Sequence, residues 1–338
     1  MQEAKMENKR IAVLALGGTI AMGNDAADRN GGVVLSLTAR ALVDAVPALA
    51  AIADIEATGF RQLPSAHLGY DDLDALAAAI DRLGEAGCRG VVVTQGTDTI
   101  EETAFVLDRL VGLDMPVVIT GAMRNPTATG ADGPANLLAA VQVALSEAAR
   151  GKGCLVVMND EIHAARFVRK MHTSRPDAFS SPSCGRIGWV TEGRARIAVG
   201  LARMPAVSGP VTRPHARAAL VKVALGDRGE QIEALLEAGF DGMVVEATGG
   251  GHVATEVADA LEKAVRRMPV VLASRTGGGE VLARTYGFKG SEIDLLGRGL
   301  TSAGFLDGLK AKALLTLLVR RGLAAHADVA RAFAPWAA

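Results

Sequence analysis

The stretch Gly90-Val91-Val92-Val93-Thr94-Gln95-Gly96-Thr97-Asp98-Thr99 decides how the chain is read. A short run of valines packs well on a pleated, fully buried surface, and the Gly-Thr-Asp-Thr that ends it cannot continue a strand. The next segment changes period: Ile100, Ala104, Leu107 and Val111 fall on one face of a helix. Thr99 with Glu102 three residues later has the spacing of a capping box and predicts the start of that helix. Strand, turn and helix therefore follow within about twenty residues. The same unit recurs on both sides, with buried strands expected at Ile11-Leu16, Pro116-Thr120 and Cys154-Met158 and helices at Asp71-Glu85 and Pro134-Ala149. This alternation is that of an α/β fold on a parallel sheet.

With 338 residues the chain exceeds what one hydrophobic core usually serves, so two domains are expected. Around Ala206-Pro214 the pattern lapses into Pro, Gly, Ser and Thr, which places a first domain over 1–207, a linker over 208–217 and a smaller α/β domain over 218–338. Strands near Ala219-Leu225, Gly242-Glu246 and Pro269-Ser274 alternate there with helices near Gln231-Ala238, Thr255-Arg267 and Leu306-Arg320. Lys plus Arg number 36 against 37 Asp plus Glu, which leaves no excess field to recruit nucleic acid or an anionic membrane and points to a small-molecule partner. No apolar run is long enough to cross a bilayer, and Ile11-Leu16 is too short for a signal-peptide core, so a cytoplasmic location is expected. Cys88, Cys154 and Cys184 are widely spaced and read as reduced thiols in or near cores, not as a zinc site or disulfide framework.

Ligands of open α/β sheets bind beyond the carboxyl ends of the strands. Three such ends carry small residues: Gly17-Gly18-Thr19, Gln95-Gly96-Thr97-Asp98 and Gly121-Ala122. Glycine lets a backbone approach a substrate, and a threonine there offers a hydroxyl nucleophile beside amide donors for an oxyanion. A threonine hydroxyl needs a base within hydrogen-bond reach. The six histidines read as surface or loop residues. Lys170 is the better candidate, because Arg166 and Arg169 would favour its neutral, proton-accepting form, although a basic cluster is more often a solvated face. The glycines match neither the Rossmann nor the P-loop pattern, and Gly249-Gly251 and Gly277-Gly279 read equally well as tight turns or as site-lining loops.

Gly17-Gly18-Thr19-Ile20-Ala21 and Gly96-Thr97-Asp98-Thr99 resemble the two signature motifs of bacterial L-asparaginases and glutaminase-asparaginases. Glu101-Ala104, Gly121-Arg124, Ala131-Leu137 and Val156-Asp160 are similar to the same family, in order, so the resemblance spans essentially the whole chain. It implies a doubly wound, parallel-rich amino-terminal domain, a smaller carboxyl-terminal α/β domain and a homodimer or homotetramer with active sites built between subunits. No metal or organic cofactor is implied. By matching position, Thr19 would be the primary nucleophile, with Thr97, Asp98 and Lys170 as a second cluster. Ser65 would bind the substrate's α-carboxylate, Asp98 the α-amino group, and Gly96 and Ala122 would complete the substrate contacts. Glu280 is the expected contribution of a partner subunit.

The sequence departs from that family in four places, one of them the partner-subunit region of Gly249-Gly251 and Glu280, where the expected asparagine and acidic positions do not align cleanly. A loop tyrosine that closes over the site in many relatives would fall near Gly32, and the only tyrosines here are Tyr70 and Tyr286. Ala66-His67 stands where glutamine often follows the serine, and Gln95 where histidine is common. The expected activity is hydrolysis of L-asparagine. Its alternatives are a glutaminase or mixed enzyme, an asparaginase-like subunit of a tRNA-dependent amidotransferase, a non-catalytic amino-acid sensor on the same fold, and a nucleotide-binding enzyme resting on the glycine-rich strand ends alone.

Overall fold

A computed structural model describes residues 9–18, 20, 22–24, 33–35 and 38–337, the segments 22–24 and 33–35 by their backbone. The chain divides into two compact units, Met1–Ala206 and Val207–Ala338. Thr19 and the Gly32 loop position lie outside the described residues.

In the first unit the strands are β1 (Arg10–Ala15), β2 (Met22–Asn24), β3 (Val33–Leu35), β4 (Asp54–Gly59), β5 (Gly90–Thr94), β6 (Val117–Thr120), β7 (Cys154–Met158), β8 (Glu161–Ala164), β9 (Arg169–Lys170), β10 (Phe179–Ser180), β11 (Gly188–Thr191) and β12 (Arg194–Ile197). Eight of them form one sheet in the order β12-β11-β8-β7-β6-β5-β1-β4. From β4 through β1, β5 and β6 to β7 every pairing is parallel. Beyond β7 the sheet turns antiparallel, because Asn159 and Asp160 both adopt positive φ, 51° and 59°. They fold β7 back onto β8 in a two-residue turn. β4 escapes sequence reading because it is an edge strand with only alternate residues half-buried, so Asp54 and Glu56 interrupt any apolar run.

The helices are α1 (Ala39–Asp44), α2 (Ala48–Ile52), α3 (Tyr70–Glu85), α4 (Ile100–Leu110) and α5 (Gly133–Ala144). Side chains alternate across a strand, and the sheet uses both sets. Ile11, Val13, Val92, Val118, Leu155 and Val157 join one core with α1, α2 and α5. Ala12, Leu14, Val91, Val93, Ile119 and Val156 are buried on the other face, where α3 and α4 pack. The sheet is thus doubly wound and parallel-rich. α4 begins as expected at Ile100, but Thr99 makes no side-chain cap, and a 3-10 turn over Thr97–Thr99 precedes it.

The strand order reverses between β1 and β5: from β1 the chain passes to β4 on one side, and from β5 it proceeds through β6 and β7 on the other. A crevice opens at such a switch point outside the carboxyl ends of the two strands. Gly17-Gly18 and Gln95-Gly96-Thr97 are the residues that leave those ends.

The second unit carries β13 (Ala218–Lys222), β14 (Gly242–Ala247), β15 (Val270–Ser274) and β16 (Thr301–Ser302), all parallel and in that order. Its helices are α6 (Glu230–Glu237), α7 (Thr255–Val265), α8 (Glu292–Gly297), α9 (Gly308–Arg320) and α10 (His326–Phe333). Met243, Val245 and Leu272 pack with Ile232, Val257 and Leu261 of α6 and α7, while α9 lies along β13, β14 and β15. No helix among the described residues is long and apolar enough to cross a membrane.

Phe105 of α4 is wholly buried against the first unit's sheet. Phe105→Ala is expected to cost about 3–5 kcal/mol. Urea unfolding followed by circular dichroism checks this, with a lower midpoint and an unchanged slope as the expected outcome.

Candidate active site

Two glycines bring the ends of β1 and β5 together. Gly18 has φ +89°, and a side chain built there would lie 2.0 Å from the backbone nitrogen of Gly96. At Gly96 a side chain would meet the Ser65 hydroxyl oxygen at 2.8 Å. The first close approach is backbone on backbone and has no side chain to yield, so only glycine fits position 18. Ser65 reaches the same place from a separate 3-10 turn, Ser65–His67, whose approach is set by the bond from the Leu63 N–H to the Leu16 carbonyl at 3.0 Å.

Thr97 and Asp98 open the 3-10 turn that follows Gly96. Lys170 comes from β9, which pairs with β10 as a separate two-stranded ribbon. Its Nζ donates to Thr97 Oγ1 at 2.9 Å and to Asp98 Oδ1 at 2.9 Å, across more than seventy residues of sequence. Thr97 is buried. Lys170 keeps 15% of its side chain exposed and Asp98 67%. Solvent screens such a pair, so its value lies in geometry more than in stability. The Ser65 hydroxyl accepts from the Asp98 N–H at 3.3 Å and makes a long contact, 3.5 Å, with Asp98 Oδ2. A hydroxyl, a carboxylate, an amine and a second hydroxyl thus share one end of the sheet.

The loop after β6 forms another wall. A side chain at Gly121 would meet the Gln95 carbonyl at 2.7 Å and the Thr97 methyl at 3.2 Å, so Gly121 and the buried Ala122 lie against the Thr97 turn. Asp132 and Asn136, at the start of α5, hold this loop. Asp132 accepts from the N–H groups of Met123 at 3.0 Å and Arg124 at 2.9 Å, and Asn136 donates to the Gly121 carbonyl at 3.0 Å and to Asp132 at 3.1 Å. Both residues lie in the Ala131-Leu137 motif, yet spacing alone assigns neither a task. Their targets in the loop are backbone groups, which sequence patterns do not reveal.

Among the residues expected at the site, Ser65, Gly96, Thr97, Asp98, Ala122 and Lys170 are gathered at this end of the first unit's sheet. Glu280 is an exposed residue of the second unit, following Gly277-Gly279 beyond the carboxyl end of β15. Arg166 donates to the Ala202 carbonyl at 2.8 Å, and the Lys170 amine pairs with the Asp98 carboxylate at 2.9 Å. His163 is not a surface residue: it is buried on β8 with Nδ1 3.0 Å from the Ser181 hydroxyl, and that burial pushes its pKa down. Cys184 is exposed, whereas Cys88 and Cys154 are buried, and desolvation raises the Cys154 thiol well above its ordinary value. Among the described residues no His, Cys, Asp or Glu cluster could hold a metal ion.

Residues 10–202 match the family model for the asparaginase amino-terminal domain, and residues 217–333 that for the glutaminase/asparaginase carboxyl-terminal domain. The chain belongs to the asparaginase family. Within that family of amidohydrolases it is 38% identical over 327 residues to a probable L-asparaginase of Deinococcus radiodurans, covering 96% of this chain and 97% of that one. It is 33% identical over 321 residues to one subunit of a glutamyl-tRNA(Gln) amidotransferase of Methanosarcina barkeri, covering 91% of this chain and 72% of that subunit. The crystal structure of a probable cytoplasmic L-asparaginase from Campylobacter jejuni superposes with a TM-score of 0.82 at 33% identity, covering 96% of this chain and 99% of that one. The asparaginase fold therefore extends through both units.

Asp132→Ala leaves the Met123 and Arg124 N–H groups without their acceptor and is expected to cost roughly 1–3 kcal/mol. Chemical unfolding of the variant beside wild type measures it.

Proposed function

We propose that the protein hydrolyses L-asparagine to L-aspartate and ammonia, with Thr19 as the nucleophile. The observation that carries this reading is the placement of the Lys170 amine 2.9 Å from both Thr97 Oγ1 and Asp98 Oδ1, next to the turn that Thr19 follows. In the scheme we infer, the Thr19 oxygen bonds to the amide carbon, the C–N bond breaks and the nitrogen leaves as ammonia after taking up a proton. Water then adds to the acyl group, the Thr19–acyl bond breaks, and Thr19 recovers its proton. In this scheme a neutral Lys170 amine would take up the Thr19 proton through Thr97, which accepts from Thr19 and donates to the amine across the 2.9 Å contact, and would return it by the same route to the leaving nitrogen; the proton from the attacking water would later go back to the Thr19 oxygen.

Ser65 and Asp98 would take the charged end of the substrate. The serine hydroxyl would face the α-carboxylate, and the Asp98 carboxylate, 67% exposed, would hold the α-ammonium beside its bond to Lys170. Backbone N–H groups around Gly96 and Thr97 would oppose the oxyanion, since donors fixed in advance stabilise charge as it develops. Ala122 would complete the substrate wall. Glu280 from a neighbouring subunit, in a homodimer or homotetramer, and a cytoplasmic location like that of the Campylobacter relative complete the reading. No metal or organic cofactor takes part in it.

A second reading is favoured by the Methanosarcina relative: the same ammonia-releasing chemistry serving amide transfer. A glutaminase or mixed specificity is the nearer alternative, because one methylene in a pocket is worth only about 1–3 kcal/mol.

The test is ammonia release from L-asparagine and L-glutamine side by side. We expect activity on asparagine, with Thr19→Ala, Thr97→Ala and Lys170→Ala each lowering kcat at least about 100-fold. A Lys170→Ala enzyme with near wild-type turnover would remove the lysine from the mechanism. Well-folded wild-type protein that releases ammonia from neither amide would overturn the assignment.

A further inference from the structure

The Thr99 hydroxyl is diverted from the helix it precedes. It caps nothing in α4; its Oγ1 donates instead to the Ser65 carbonyl at 3.0 Å, thirty-four residues away in sequence. Behind it, Gln95 is fully buried and offers Nε2 to Thr99 Oγ1 at 3.4 Å and to the Gly96 carbonyl at 3.2 Å. Gln95 Oε1 has no hydrogen-bond partner among the described residues. A buried polar atom left in that state costs free energy, so the side chain's orientation is dictated by its donor end and not by its acceptor.

We propose that Thr99, backed by Gln95, is a positioning residue that holds Ser65 for recognition of the substrate's α-carboxylate. The turn bearing Ser65 is only three residues long and closes on itself through the Leu68 N–H to the Ser65 carbonyl at 3.2 Å and the His67 N–H to the Pro64 carbonyl at 2.9 Å. Its own bonds do not fix where it sits relative to the Thr97–Thr99 turn. The Leu63–Leu16 bond brings it near, and hydrogen bonds to the Thr97–Thr99 turn fix it: Thr99 holds the Ser65 carbonyl, and Asp98 holds the Ser65 hydroxyl through its N–H and the long Oδ2 contact. Without the Thr99 bond, the serine pivots about the Asp98 contacts and its hydroxyl leaves the position at which a carboxylate would be met. Neither Thr99 nor Gln95 touches the reacting amide. Their loss weakens the binding of ground and transition states alike, a pattern seen in KM and not in kcat.

The inference rests on the amidohydrolase reading above and is tested separately from it. In Thr99→Val, which keeps the shape of the side chain and removes the donor, KM for L-asparagine is expected to rise about five- to tenfold with kcat held within about twofold. The dissociation constant for L-aspartate by calorimetry should rise in parallel, because the product presents the same carboxylate. Thr99→Ser, which keeps the hydroxyl, should restore both. Should Thr99→Val not accumulate as folded protein, Gln95→Leu is expected to shift KM and the aspartate affinity in the same direction. Unchanged KM and aspartate affinity in either folded variant, or a fall in kcat with KM unmoved, overturns the positioning role. Wild-type protein that neither releases ammonia nor binds aspartate sinks the amidohydrolase reading; an active wild type with an indifferent Thr99→Val sinks this inference alone.

Discussion

The backbone contact between Gly18 and Gly96 is the constraint on which the rest of the site depends. A side chain at position 18 would sit 2.0 Å from the Gly96 nitrogen, so the chain leaving β1 and the chain leaving β5 can touch only because neither carries one. That contact lies at the point where the strand order reverses and where the sheet's two connections diverge. It brings the segment entering Thr19 against the turn that presents Thr97 and Asp98, and leaves room for Ser65 to approach from a third direction. The glycines thus act through the side chains they lack. What they admit is a set of polar groups close enough to exchange protons.

Around that contact the protein builds rigidity from backbone-directed side chains. Asp132 and Asn136 clamp the Gly121-Arg124 loop, and Thr99 ties the Ser65 turn to the Thr97 turn. Lys170 differs in kind, because it reaches the site from a small ribbon outside the main sheet and ends on two side chains, Thr97 and Asp98. Of this cluster Asp98 is well exposed, while Thr97 is buried and Lys170 nearly so. Local helix stability is sacrificed for the Ser65 tie at Thr99, where a cap of the usual kind is worth about 1 kcal/mol.

Much of the architecture is legible in the sequence because buried parallel strands read as continuous apolar runs. Gly90–Thr94 and Cys154–Met158 have the same limits in the sequence reading and in the structure. Strands that are half exposed have no such run, and Asp54–Gly59, Gly188–Thr191 and Arg194–Ile197 emerge only in the folded chain. Asn159-Asp160 holds a hairpin signal that the strand-helix alternation conceals. At the site, the strand-end rule finds Gly96 and Thr97, and Lys170 stands out through its basic neighbours. Its partners, Thr97 and Asp98, are more than seventy residues away, and no local pattern joins them to it. The tasks of Asp132, Asn136 and Thr99 are invisible for the same reason, since each is defined by a carbonyl or N–H that only the folded chain brings near. The Thr99-Glu102 spacing even suggests a different job for Thr99.

In the proposed reaction the gathered hydroxyl, amine and carboxylate groups serve a covalent acyl transfer. The most direct measurement is product analysis of asparagine turnover in the presence of hydroxylamine, which competes with water for an acyl-enzyme. Aspartyl hydroxamate is expected to form at the expense of aspartate while ammonia release continues. Ammonia and aspartate with no hydroxamate at any hydroxylamine concentration would mean that water attacks the amide directly, and would contradict the covalent route.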